Sequence, residues 1–210
     1  MPRSHEGLVR LIQRHGVADP EVIEAFRRVA RRDFVPSGSE HLAYDDRPVG
    51  LPQSQTTSQP SLIARMLEAA APRSSDRALE VGTGYGFQTA LLSHLVAEVV
   101  SVERRRELAE AAMANLQRAR ITGVEVRHGD GFAGAPDRAP FDVIVVSAAA
   151  PQVPEALVSQ LAEGGRLVIP VRDEGTDNVV SVTKRDGAPL PPRLVTPARF
   201  VPLVPGPVED

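Results

Sequence analysis

The sequence contains no cysteine. Disulfides, thiolate catalysis and cysteine-ligated zinc are therefore excluded, and a cytoplasmic protein is the expectation. No sign of charge dominates either. A formal net charge of −3 over 210 residues gives no reason to expect nucleic acid or an anionic membrane as a partner. No apolar run is long enough to span a bilayer. The opening run, MPRSHEGLVRLIQRHG, is charged throughout and lacks an apolar core of signal-peptide length. His5, His15, His41, His94 and His128 are scattered, so no metal site is expected.

Proline is what the chain has in excess. There are nineteen, against a usual share of about 5%, and they cluster in 36–60, 136–154 and 189–207. Those segments read as ordered loops, turns or edge strands. The length suits one well-cored domain, expected to span residues 1–210.

Residues 1–60 differ from the rest. They read as two short helices and a long loop. Asp19-Pro20-Glu21 starts the second helix: Asp caps, Pro fits the first turn, and Glu suits the dipole. Val22, Ile23, Phe26 and Val29 follow on one face. Residues 31–54 show no periodicity, yet Phe34, Val35, Leu42, Tyr44, Val49 and Leu51 make them too apolar for disorder. QTTSQP, at 55–60, looks like a helix start. Ser58 is placed to cap a helix whose apolar face is Leu62, Ile63, Met66, Leu67 and Ala70.

From Arg77 strands and helices alternate. Strands are expected at 77–81, 98–103, 124–129, 141–146 and 165–171. Helices are expected at 87–96, 105–119 and 154–162. This order implies an α/β fold, a parallel sheet with helices on both faces. Two further strands, 178–184 and 193–204, have no helix between them and so pair antiparallel at the edge. Pro197 and Pro202 suit an edge.

LEVGTGYGFQ, at 79–88, is the strongest local signal. A buried strand runs through three alternate glycines into a helix, more than a tight turn needs. A dinucleotide fingerprint would need G-x-G-x-x-G, but Phe87 stands at the third glycine's place. A phosphate loop would need G-K-[ST], which is missing. Glu80 also opposes a phosphate and favours a cationic ligand. Two more acids, Glu103 and Asp130, end the next two strands, on the edge where open sheets bind ligands. An acid followed by G-x-G-x-G resembles the first motif of S-adenosylmethionine-dependent methyltransferases. SAAAP, at 147–151, stands where many amino-methyltransferases carry Asn/Asp-Pro-Pro-aromatic, which points to an oxygen acceptor.

Beyond that motif, RDFVP (32–36), AYDDRP (43–48), QTTSQP (55–60), SVER (101–104), GDG (129–131), APFDVIVVSAAAP (139–151), LAEGGRLVIPV (161–171) and RFVPL (199–203) resemble the signature blocks of the protein-L-isoaspartate (D-aspartate) O-methyltransferases. QTTSQP and RFVPL carry most of the specificity. The resemblance implies a seven-stranded doubly wound, Rossmann-like sheet with an antiparallel C-terminal edge strand. N-terminal helices and a long ordered loop, 1–60, would cover the active site of a core at 61–210. It implies S-adenosylmethionine as co-substrate and S-adenosylhomocysteine as product. The cofactor contacts carried over are Glu80, Gly82, Thr83, Gly84, Gly86, Gln88, Glu103, Arg104, Asp130 and Gly131. Ser58 becomes the active-site hydroxyl that orients the acceptor carboxylate, at a helix N-terminus that also attracts it. Gln55, Thr56 and Thr57 would touch substrate, and so would Arg199, Phe200 and Val201, on the strand along which the peptide lies. The partners implied are isoaspartyl-containing proteins and peptides, met by a monomer. Pro52 and Ser54 replace two glycines of the family loop. A methyltransferase that esterifies a normal aspartate in a dedicated peptide, or a non-catalytic cofactor-binding protein, remain the other readings.

Overall fold

The computed structural model describes residues 4–173, 175–206 and 208. Met1 to Arg3 of the charged opening run, and Pro207 of the last proline cluster, lie outside them. The chain begins with α1 (His5–Arg14) and α2 (Pro20–Arg28). Asp19 caps α2 as expected, its carboxylate accepting from the amides of Glu21 and Val22. A hairpin follows, β1 (Val49–Leu51) paired antiparallel with β2 (Gln55–Thr57). The core then runs α3 (Pro60–Ala70), β3 (Arg77–Val81), α4 (Phe87–Ser93), β4 (Glu98–Glu103), α5 (Arg106–Arg118), β5 (Val124–His128), β6 (Phe141–Val146), α6 (Glu155–Ser159) and β7 (Leu161–Asp173). It closes with β8 (Thr176–Arg185), the short β9 (Ala188–Pro189) and β10 (Arg193–Ala198).

The main sheet runs β10-β8-β7-β6-β3-β4-β5, with β9 pairing to β8. The five strands from β7 to β5 are parallel. β8 is antiparallel to β7, and β10 to β8. Chain order reverses between β3 and β6, so the carboxyl ends of β3, β4 and β6 surround the switch point. Alternate side chains of the central strands pack into two separate cores. Ala78, Val99, Val143 and Val145 meet the side carrying α2, α3 and α4. Leu79, Val81, Val100, Ile144 and Val146 face the side covered by Leu157 of α6 and by loops.

Two expectations fail here in ways that matter for the site. Residues 55–57 are strand, and the helix starts at Pro60 with Gln59 as its N-cap. Ser58 is therefore not the cap. The amide of Ser61 instead donates to Asp46 Oδ1 at 2.9 Å, and Gln59 Nε2 donates to Asp46 Oδ2 at 3.0 Å. A carboxylate of the chain itself already holds that helix start, so it does not draw in an acceptor. The last strand also stops at Ala198. Residues 199–203 leave the edge and cross the carboxyl end of the sheet, where the amide of Ala149 donates to the Val201 carbonyl and that of Leu203 to the Ala149 carbonyl, both at 2.8 Å. RFVPL is a crossing segment, not a continuation of the edge strand.

The aperiodic stretch at 31–54 is ordered by one buried cation. The Arg31 guanidinium donates to the carbonyls of Ala43, Asp45, Arg47 and Ser58 at 3.0 to 3.3 Å. Burial pulls its pKa down to about 10, against the pull of Asp46 and Asp45.

Candidate active site

Two clefts open at the carboxyl end of the sheet. The larger, about 520 Å³, lies over the glycine loop and is lined by Gly82, Gly84, Glu103, Arg104 and Gly131 from the strand ends. Gln53 to Thr56 of the hairpin and Val201 to Val204 of the crossing segment close it from above. The second, about 260 Å³, is lined by Thr56, Ser58, His15 and Arg65 on one side and Thr196 to Val201 on the other. Thr56, Ser147 and Val201 line both. The two clefts thus share a seam of three residues.

The glycine loop has the geometry its sequence requires. Gly82, Gly84 and Gly86 have φ of 90°, 57° and 90°, a region L side chains enter only with strain. Their uses differ. Gly82 and Gly84 present bare backbone to the larger cleft. Gly86 does not line it. A Cβ there would sit 3.3 Å from Leu116 Cγ, so this glycine lets α4 and α5 pack closely. At Gly131 a Cβ would fall 2.4 Å from Val81 Cγ1.

The three acids part company. Glu103 reaches the cleft. Its carboxylate accepts from the amides of Gly84 at 2.8 Å and Arg105 at 2.9 Å. Burial raises its pKa, opposed by those backbone amides. Glu80 does not reach the cleft, which corrects the expectation of a direct contact. It is fully buried, with Oε1 accepting from Gln88 Nε2 at 3.0 Å and Oε2 from Thr89 at 2.5 Å and Ser101 at 2.6 Å. Burial pushes its pKa up to about 7, the three donors pulling back. Asp130 does not line the cleft either. It accepts from the amides of Phe132 and Gly206, both at 2.9 Å, a turn aspartate that also holds the tail. Thr83 and Gln88 do not line the larger cleft but face a small hollow of about 30 Å³ beside Ser58 and Ser147. Thr83 is hydrogen-bonded to Ser101 at 2.6 Å, and Gln88 also donates to Ser147 Oγ at 3.0 Å.

Of the expected substrate residues, Arg199, Phe200 and Val201 line the smaller cleft with Thr56 and Ser58. Gln55 lines the larger cleft instead, and Thr57, the last residue of β2, is buried. The Ser58 hydroxyl has no hydrogen-bond partner among the described residues and stands at the cleft wall. Ser147 is the residue the sequence reading passed over. It lay in SAAAP, read only for the motif it is not. The position of one residue past β6, at the switch point, was the available signal. Among the described residues no group of His, Asp or Glu could hold a metal ion, and no helix is long and apolar enough to cross a membrane.

A polar cleft over bare glycine backbone, joined to a second cleft, has parallels among known proteins. The family model for protein-L-isoaspartate(D-aspartate) O-methyltransferase matches residues 3–207. This chain belongs to that family. A protein-L-isoaspartate O-methyltransferase of Methanoculleus marisnigri is 47% identical over 186 residues, 88% of this chain and 84% of its own length. One of Cronobacter sakazakii is 44% identical over 199 residues, 95% of each. A Plasmodium falciparum structure, described as a protein-L-isoaspartate O-methyltransferase in complex with S-adenosyl-L-homocysteine, superposes with a TM-score of 0.85. It is 25% identical and covers 95% of this chain and 98% of its own. For this isoaspartyl methyltransferase chain the larger cleft fits the same ligand type. Its volume lies in the usual range for small-molecule sites, about 300–1,000 Å³, and it offers backbone and a carboxylate in place of a phosphate cradle.

Proposed function

We propose that the chain transfers a methyl group from S-adenosylmethionine to the free α-carboxylate of isoaspartyl residues in damaged proteins and peptides, opening a repair route through a succinimide. The observation that carries this is the seam, where a cofactor-sized cleft and an acceptor cleft touch at Thr56, Ser147 and Val201. When bound, the cofactor supplies a methyl on a sulfonium, which an acceptor oxygen takes while sulfur keeps the bonding pair. A carboxylate is already ionised, so no residue has to remove a proton. What the chain supplies is alignment and dryness. Glu103 and the backbone of Gly82 and Gly84 hold the cofactor end. Ser58 orients the acceptor, its backbone fixed by the hydrogen bond from Arg31. The hairpin and the crossing segment shut out water. The chain acts as one domain and as a cytoplasmic monomer, with residues 4–60 as the cover.

The test is labelled S-adenosylmethionine with matched isoaspartyl and aspartyl peptides, counting base-labile esters. Esters confined to isoaspartate support the proposal. Esters on aspartate alone, or none, refute it. In the same assay Ser58→Ala is expected to lower turnover at least about tenfold, with S-adenosylhomocysteine affinity little changed by calorimetry.

A further inference from the structure

Ser147 is where three facts meet. It lines both clefts. Its amide donates to the Val81 carbonyl at 2.8 Å, which fixes its backbone to the sheet edge. Its hydroxyl accepts from Gln88 Nε2 at 3.0 Å. The direction of that last bond is set from deeper in the protein. An ionised carboxylate only accepts. Above about pH 7, where its carboxyl is ionised, Glu80 obliges the Gln88 amide to face it with NH2, and the same NH2 faces Ser147. The Ser147 oxygen is thus occupied as an acceptor and its proton has to point elsewhere. The open direction is the seam.

Resting on the function proposed above, we infer that Ser147 is a second acceptor-orienting hydroxyl. It donates to one oxygen of the incoming carboxylate at the seam, with its polarity imposed by the Glu80–Gln88 pair. Ser58 approaches from the hairpin side of the acceptor cleft and Ser147 from the sheet side. Two donors from different elements fix the carboxylate plane, which one rotatable hydroxyl cannot do. The attacking oxygen keeps lone pairs for the methyl group.

The test uses the full chain, an isoaspartyl peptide and saturating cofactor at pH 8. Ser147→Ala is expected to lower kcat at least about fivefold, with S-adenosylhomocysteine affinity held within about twofold. Ser147→Thr keeps a hydroxyl and restores most of the loss. Gln88→Leu provides a readout from a distance. It removes the NH2 that occupies the Ser147 oxygen, so the Ser147 proton is no longer held toward the seam and kcat falls although Ser147 is intact. The double variant is no slower than the slower single one, because both remove the same bond. A smaller drop for folded Ser147→Ala, or a loss that appears in cofactor affinity, overturns the inference. If the wild-type chain esterifies isoaspartate and these variants do not slow it, only this inference falls. If the wild type makes no such ester, the functional reading falls and takes the inference with it.

Discussion

Glu80 shows how one residue can be misplaced by spacing and placed by parity. Along β3 successive side chains face opposite sides of the sheet. Leu79 and Val81 belong to one core and Ala78 to the other, so Glu80 shares the Ala78 side, under α4. There Gln88 and Thr89 meet it. The glycines and Glu103 were legible in the sequence because a strand end and a tight turn leave few choices. Which way an acid at a strand end points was not read, although the parity was available. Burial has a consequence for stability. The folded chain holds the Glu80 proton to about pH 7, against an ordinary value of 4.5. The folded state binds that proton more tightly than the unfolded one, so its stabilisation is complete below pH 4.5 and is lost as pH rises through 7. The size is on the order of 3 kcal/mol. Urea titrations should show the advantage of wild type over Glu80→Gln shrinking by about 2 kcal/mol between pH 5 and 8. A constant difference would mean that the carboxyl titrates alike in both states.

Among the elements, helices and parallel strands followed from apolar period, while the hairpin and the loop before it did not. Their order comes from polar contacts between residues far apart in sequence, which no period records. Asp46 caps a helix that begins fourteen positions later, at Pro60. Arg31 gathers four carbonyls from residues spread between Ala43 and Ser58. The hairpin turn places Gln53 and Ser54 at φ of 56° and 57°, so Ser54 takes the left-handed conformation that glycine would take more easily. Pro52 precedes these positions and needs no positive φ. The altered loop therefore keeps a tight turn. Arg31 is the more demanding position. A lysine there retains the charge but is a point donor without the planar fork that reaches several carbonyls. Arg31→Lys should lower unfolding free energy by about 2 kcal/mol or more. Limited proteolysis should then cut faster within residues 43–58 than elsewhere. Unchanged cutting there would show that the apolar contacts of Phe34, Val35 and Val49 order the loop by themselves.

Over the described residues, segments from before and after the core meet at the carboxyl end of the sheet. The hairpin comes from before the core and the crossing segment from after it, and together they roof a cleft whose floor is the core. Past Leu203 the tail stays on that roof. Arg104, at the cleft wall, donates to the carbonyls of Val204 at 3.2 Å and Gly206 at 3.0 Å. Asp130 holds the Gly206 amide from below. These two residues were assigned to the ligand from sequence, and both grip the tail. These bonds hold the tail over the cleft, and their opening is expected to govern ligand exchange more than the chemistry does. Arg104→Ala should therefore speed S-adenosylhomocysteine dissociation several-fold, on the order of the tenfold that losing hydrogen bonds from a charged donor brings. The KM for S-adenosylmethionine should rise while single-turnover methylation keeps its rate. Stopped-flow release and a single-turnover assay separate the two. A variant slowed in the single turnover, with release unchanged, would place Arg104 at the reacting groups instead of at the door.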